Sequence, residues 1–250
     1  MPEGLAAAFA TPGLPFLALA VLVAGLVRGF SGFGAALVMM PVAAAIMPLP
    51  VAIVMMSVVG VLSWPVLLPR ALREADRTEA SVLGLAALVT APAGTWVLTV
   101  VPQEVLRWIL AVIASATLAA LLSGVRYRGR VSRPGVAAVG GAVGLMGGAT
   151  GLSGPPAVLF YLAGQARAPA IRANVIVAFA IFEIGVIASL FARDLVTMRA
   201  IWLGLAMALP YLLGSTVGQM LFRPEREREF RLAAYITIAL AILSSLPVFD

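Results

Sequence analysis

The most restrictive feature of this chain is a succession of runs with no ionisable side chain other than tyrosine. They are Leu5–Val27, Gly29–Pro69, Ala80–Gln103, Trp108–Val125, Pro134–Ala166, Ala200–Phe222 and Leu232–Phe249. About 18–25 apolar residues suffice for a helix to cross the hydrocarbon of a bilayer, and most of these runs are long enough. Helices are the form such runs take, because lipid offers no partner to an open backbone N–H or C=O. Composition agrees: 62% of the 250 residues are hydrophobic and 11% are charged, with a mean hydropathy of +1.07. Soluble domains carry about 25% charged residues. The sequence therefore predicts an all-α, polytopic integral membrane protein whose surroundings are the lipid bilayer.

The formal charge of +6 comes from arginines, since Lys and His are absent. These arginines sit in short loops between apolar runs, which fits cytoplasmic membrane flanks rather than a nucleic-acid-binding face. Glu3 precedes the first apolar run and no basic residue occurs before Arg28. That run lacks the charged start of a secretory signal peptide and is expected to remain in the mature protein. Cys is absent, so nothing in the chain reports on a redox compartment.

A shift of 119 residues lays the chain on itself. Gly25-Leu26 then meets Gly144-Leu145, Gly29 meets Gly148, Ser31 meets Thr150, Gly32 meets Gly151, and Pro50 meets Pro169. Thr78 meets Thr197 and Arg107 meets Arg226. Glycines in phase with a proline carry more information here than matched Ala, Leu or Val, and they indicate an internal repeat. The expected organisation is a short N-terminal tail over 1–13, a first repeat over 14–122, a basic linker over 123–134 and a second repeat over 135–250.

Each repeat begins with an interrupted helix. Leu14–Val27 and Ala35–Met47 flank Arg28-Gly29-Phe30-Ser31-Gly32-Phe33-Gly34; Val136–Met146 precedes Gly147-Gly148-Ala149-Thr150-Gly151-Leu152-Ser153-Gly154, after which Pro155-Pro156 opens a new helix. At ~1.5 Å per residue, each piece of the first pair is about 20 Å long, short of the roughly 30 Å hydrocarbon core. Each pair is either one broken crossing or a hairpin that returns to its own side. With hairpins, loops 69–78, 123–134, 166–172 and 223–231 share a face and hold 13 arginines; the other face has Arg107, Arg193 and Arg199. With single crossings the arginines divide 9 to 7. The positive-inside rule selects hairpins and places those four loops in the cytoplasm, in an inner (plasma) membrane. Each repeat then holds one broken-helix hairpin and three transmembrane helices. The two repeats enter with inverted topology, an arrangement recurrent in transporters, with the site where the repeats meet.

At each hairpin tip a helix starts inside the membrane, exposing unpaired N–H groups and the positive end of its dipole. Two such tips facing each other suit a small anion. The expected anion-binding residues are Arg28, Gly29, Ser31, Gly32 and Gly34 at the first tip and Thr150, Gly151, Ser153 and Gly154 at the second. Asn174 is expected to help line the site. Glycines allow close backbone approach and positive φ, although small residues also serve tight helix packing. Arg28 offers a bidentate fork for an oxyanion, and its counterpart is Gly147, so the site holds one arginine. Glu183 interrupts Ala173–Phe191 and is read as a coupling group, or as the partner of a buried cation such as Arg28 or Arg172. Trp64, Trp96, Trp108 and Trp202 read as interfacial anchors. Pro65, Pro92, Pro169 and Pro210 kink or start helices.

Arg28-Gly29-Phe30-Ser31-Gly32-Phe33-Gly34 with Pro41, Gly151-Leu152-Ser153-Gly154-Pro155-Pro156, Arg172-Ala173-Asn174 and Pro210-Tyr211-Leu212-Leu213-Gly214 together resemble the sulfite exporter TauE/SafE family over essentially the whole chain. The resemblance implies a permease for sulfite, a sulfonate or a related sulfur-containing or organic anion, acting as an exporter. Three rivals stand beside this reading. Gly151-Leu152-Ser153-Gly154 resembles the serine motif of rhomboid-type proteases. A serine nucleophile needs a base, however, and with neither His nor Lys neither usual dyad forms. A zinc protease would need His or Cys ligands, so no enzyme, metal or cofactor is expected. A passive anion channel would use the same polar tips without a coupling group. A purely structural role would leave Arg28 without consequence for anions. The anion's identity, the direction of flux, the coupling ion and the oligomeric state, with a homodimer as one option, stay open.

Overall fold

The computed structural model describes residues 3–31, 34–123, 132–162, 168–221 and 227–245. Parts of the expected loops, 124–131, 163–167 and 222–226, lie outside the described residues, as do Gly32 and Phe33. The described residues form α1 (Glu3–Phe9), α2 (Leu14–Ser31), α3 (Ala35–Ile46), α4 (Leu49–Glu74), α5 (Arg77–Val100), α6 (Gln103–Ser123), α7 (Arg133–Thr150), α8 (Gly154–Leu162), α9 (Ala168–Ala192), α10 (Met198–Leu221) and α11 (Glu227–Ser245). Five segments, in α4, α5, α6, α9 and α10, are long and apolar enough to cross a bilayer. Leu85, Val89, Val112, Leu209, Met220 and Leu240 are exposed on the outside of the bundle. A water-soluble surface would not carry so many large apolar side chains in helices this long; facing lipid, they need no other partner. The fold is that of an all-α polytopic membrane protein.

The shift of 119 residues carries α2 onto α7 end to end, and the first residues of α3 and α4 onto those of α8 and α9. Local chemistry sets several of these boundaries. Asp76 caps α5, accepting from the N–H groups of Thr78 at 2.9 Å and Glu79 at 3.0 Å, which satisfies donors that a helix start leaves open. Ser132 caps α7, with Pro134 in the first turn, where its missing N–H costs nothing. Between α2 and α3 the chain turns at Gly34, whose φ of +90° suits a residue without a Cβ. Gly151, at φ +75°, ends α7 in the same way.

Both interrupted helices fold back. Gly13, just before α2, lies against the end of α3, where a Cβ would stand 3.6 Å from Ile46 Cδ1. Val136 near the start of α7 and Tyr161 near the end of α8 share one buried cluster with Leu83, Val175 and Ala178. The arms of the first pair open beside the start of α10, where Arg199 Nη2 donates to Thr11 Oγ1 at 3.1 Å. Those of the second open beside the start of α5. The 26-residue α4, about 39 Å long at ~1.5 Å per residue, runs from one of these ends to the other.

Glycine-mediated crossings hold the bundle together. On α2, Gly25 meets the Tyr211 carbonyl and Gly29 the Ser215 carbonyl of α10; from α10, Gly214 and Gly218 meet the carbonyls of Leu22 and Leu26. The matching contact joins α7 to α5, with Gly144 against the Ala87 carbonyl and Thr90 hydroxyl, and Gly148 against the Ala91 carbonyl. Thr90 Oγ1 donates to the Gly141 carbonyl at 2.9 Å across this crossing. Helices that associate in lipid gain from such close backbone contact, because apolar burial alone gives little there. The first arm of each hairpin is thus fastened to a helix of the other half.

Candidate functional site

Where the hairpin tips approach the crossing of α4 and α9, the bundle encloses a cavity of about 80 Å³. A single water needs about 10–15 Å³ of such space, so the cavity has room for several waters or for one small oxyanion. Arg28, Gly34, Ala35 and Ala36 line it from the first tip, and Ser153 and Gly154 from the second. Glu183 on α9 and Tyr211 on α10 face the same space, with Gly60, Ser63 and Trp64 on α4. Leu67, Val158 and Val175 extend the wall toward the α4–α5 connection. Toward the opposite end, Met40, Leu49 and Met55 are fully buried.

The two tips differ chemically. No side chain caps the start of α3, so its first N–H groups, those of Ala35 and Ala36, belong to residues lining the cavity. At the start of α8, Pro155 and Pro156 carry no N–H, which leaves Ser153 and Gly154 as that tip's donors. Nothing lies within 4 Å of the place a Gly154 Cβ would take. Gly147, which matches Arg28, faces the tip of the Phe182 ring: a Cβ there would stand 2.5 Å from Phe182 Cζ. An aromatic ring therefore fills the place of a second long side chain. Trp64 falls on Glu183 under the same shift of 119 residues, so one wall presents an indole where the other presents a carboxyl.

Of the residues singled out in the sequence, Arg28, Gly34, Ser153, Gly154 and Glu183 are thus brought together. Gly29 packs on α10, and Gly151 sits against Met40, where a Cβ would lie 2.6 Å from its Cε. Thr150 is buried and turned inward: its hydroxyl donates to the Met146 carbonyl at 2.8 Å and accepts from Leu152 N–H at 3.3 Å. Asn174 is not among the lining residues. Its Oδ1 accepts from Asp76 N–H at 2.8 Å and its Nδ2 donates to Glu79 Oε1 at 3.0 Å, tying α9 to the start of α5. Ser31 closes α2, and Gly32 lies outside the described residues.

Among the four tryptophans, Trp96 and Trp108 are exposed on the outside, as anchors would be, whereas Trp64 lines the cavity. Tyr211, and Ser57 beside the Glu183 carboxyl, carry no signal in the sequence that marks them as site residues. A tyrosine or serine in an apolar helix reads the same whether it faces a neighbour or a cavity. The repeat could have flagged Trp64, through its match to Glu183.

A family model described as sulfite exporter TauE/SafE matches residues 17–245. No curated protein and no solved structure matches the chain. The matched region takes in the second interrupted helix, all but the first three residues of the first, and every residue of the cavity wall, and the bundle is apolar where a bilayer requires it. The chain belongs to the sulfite exporter TauE/SafE family of multi-pass membrane transport proteins.

Proposed function

We propose that this protein is a carrier that exports a small anion, namely sulfite, an organosulfonate or a related sulfur-containing or organic anion, and binds it between the two hairpin tips. The observation that carries the reading is a cavity shared by one arginine, two helix starts and one carboxyl group. Arg28 supplies the positive charge and a two-pronged donor. The first N–H groups of α3 and the hydroxyl and N–H of Ser153 complete the anion's contacts, with the helix dipoles favouring negative charge. The two halves act as inverted repeats, and the chamber's extension toward the α4–α5 connection is its cytoplasmic approach, loops 69–78, 123–134, 166–172 and 223–231 being cytoplasmic in an inner membrane. Glu183 couples flux to protons, a role for which a carboxyl facing the anion site is placed. A passive channel has no use for such a group, and this favours a carrier.

Purified protein in proteoliposomes tests the reading with a panel of sulfite, methanesulfonate, thiosulfate and acetate, each with and without a pH gradient. Uptake of one or more sulfur oxyanions should saturate and should accelerate under the gradient. Glu183→Gln should abolish that acceleration while leaving anion exchange across the membrane measurable. If no anion moves, the transport assignment fails. If Glu183→Gln retains the full pH response, coupling lies elsewhere.

A further inference from the structure

Arg28 and Glu183 line one chamber, yet no ion pair within 4.0 Å joins them; among the described residues such a pair links Arg70 and Glu74. Away from water, opposite charges attract far more strongly than they do in it. Closure of this pair would neutralise the guanidinium that an incoming anion needs. The arrangement of α4 explains how the two groups stay apart. Ser57 and Gly60 lie one turn apart on the same face of that helix. Ser57 is 5% exposed, and its hydroxyl stands beside the Glu183 carboxyl as a donor within its reach. Gly60 supplies the recess: a Cβ there would stand 3.4 Å from Glu183 Oε2 and 3.6 Å from its Cδ. The carboxyl therefore rests in a notch on α4, with Arg28 of α2 and Tyr211 of α10 as the other polar side chains acting on it.

We infer that Ser57 and Gly60 form a seat that holds Glu183 off Arg28, which makes Ser57 a positioning residue for anion binding. The inference rests on Arg28 being the cationic contact of the anion. Its chemistry is a competition between two carriers of negative charge for one guanidinium: the protein's own carboxylate and the transported ion. Without the Ser57 donor, the carboxylate is left to take its hydrogen bonds from Arg28 and to act as a tethered competitor. A bulkier side chain at position 60 fills the recess and has the same effect by displacement.

The full-length protein in proteoliposomes, assayed for sulfite uptake against concentration, provides the test. Ser57→Ala and Gly60→Val should each raise the half-saturating sulfite concentration by at least about tenfold, the equivalent of one charge-assisted hydrogen bond, with a smaller effect on maximal flux. Ser57→Thr, which keeps the donor, should stay within about threefold of wild type, a difference well below one such bond. The decisive arm is the double variant Ser57→Ala/Glu183→Gln compared with Glu183→Gln alone. A neutral amide cannot pair ionically with Arg28, so the Ser57→Ala penalty should vanish on that background. A merely structural serine would cost the same on both. An unchanged half-saturation in Ser57→Ala, or an equal penalty with and without the carboxylate, overturns the seat. If Arg28→Ala weakens sulfite uptake while Ser57→Ala does not, the seat alone is refuted; if Arg28→Ala is without effect, the anion site falls with it.

Discussion

Arg28→Ala should raise the half-saturating anion concentration by about two to three orders of magnitude. Hydrogen bonds to charged groups are worth about 1.5–3 kcal/mol each, and a guanidinium can make two to one oxyanion. Losing both, at the lower end of that range, corresponds to about 3–4 kcal/mol, with each 1.4 kcal/mol a factor of ten. The helix starts and Ser153 would remain, so residual uptake at high concentration is expected rather than a complete loss. Arg28→Lys should recover part of the affinity, because the charge is kept but the planar fork is not. Uptake into proteoliposomes measures the effect, and calorimetric binding in detergent separates it from turnover. Wild-type half-saturation in Arg28→Ala would remove the guanidinium from the anion's path.

Gly144→Leu should be among the most damaging substitutions for folding. The residue sits where α7 crosses α5 against the Ala87 carbonyl and the Thr90 hydroxyl, and a side chain there would overlap both. Neither neighbour is the free end of a long side chain, so the helices must separate. Separation would also strain the Thr90 hydroxyl's bond to the Gly141 carbonyl. Overpacking of this kind costs about 1–3 kcal/mol in ordinary cores and more where backbone is the obstacle. A loss of at least about 3 kcal/mol is therefore expected, seen as aggregation on size-exclusion chromatography or a sharply lowered unfolding temperature. Gly154→Ala is the contrasting case, since its Cβ would meet nothing within 4 Å. That variant should fold normally and alter only anion uptake. Equal stability of the two variants would contradict the close α5–α7 crossing.

The sequence revealed most where lipid makes a residue costly. An arginine or glutamate in an apolar run must find a place away from hydrocarbon, and Arg28 and Glu183 both face the cavity. The membrane-spanning class followed from the same asymmetry, whereas the family resemblance came from the glycine- and proline-bearing motifs, and the family model spans residues 17–245. Glycines were legible as a group but not one by one. Gly34 and Gly154 line the cavity, whereas Gly29 serves a helix crossing and Gly151 a helix end. Asn174 shows why: its partners Asp76 and Glu79 lie 98 and 95 residues away in the chain. No local pattern announces such a pairing. Trp64 reads as an anchor in the sequence because an indole gives the same signal at a headgroup and at a cavity wall.

The exchange of hairpin arms, α2 onto α10 and α7 onto α5, has a consequence for how the polypeptide can be cut. Severing it between α6 and α7 would produce two fragments, each missing the partner of its most intimate glycine crossing. Expressed separately, each fragment should be degraded or aggregate. Co-expressed, they should recover one another as a stoichiometric pair that purifies together through a tag on either piece and transports as the intact chain does. The covalent link between the halves would then be dispensable, and mutual recognition would reside in the glycine faces.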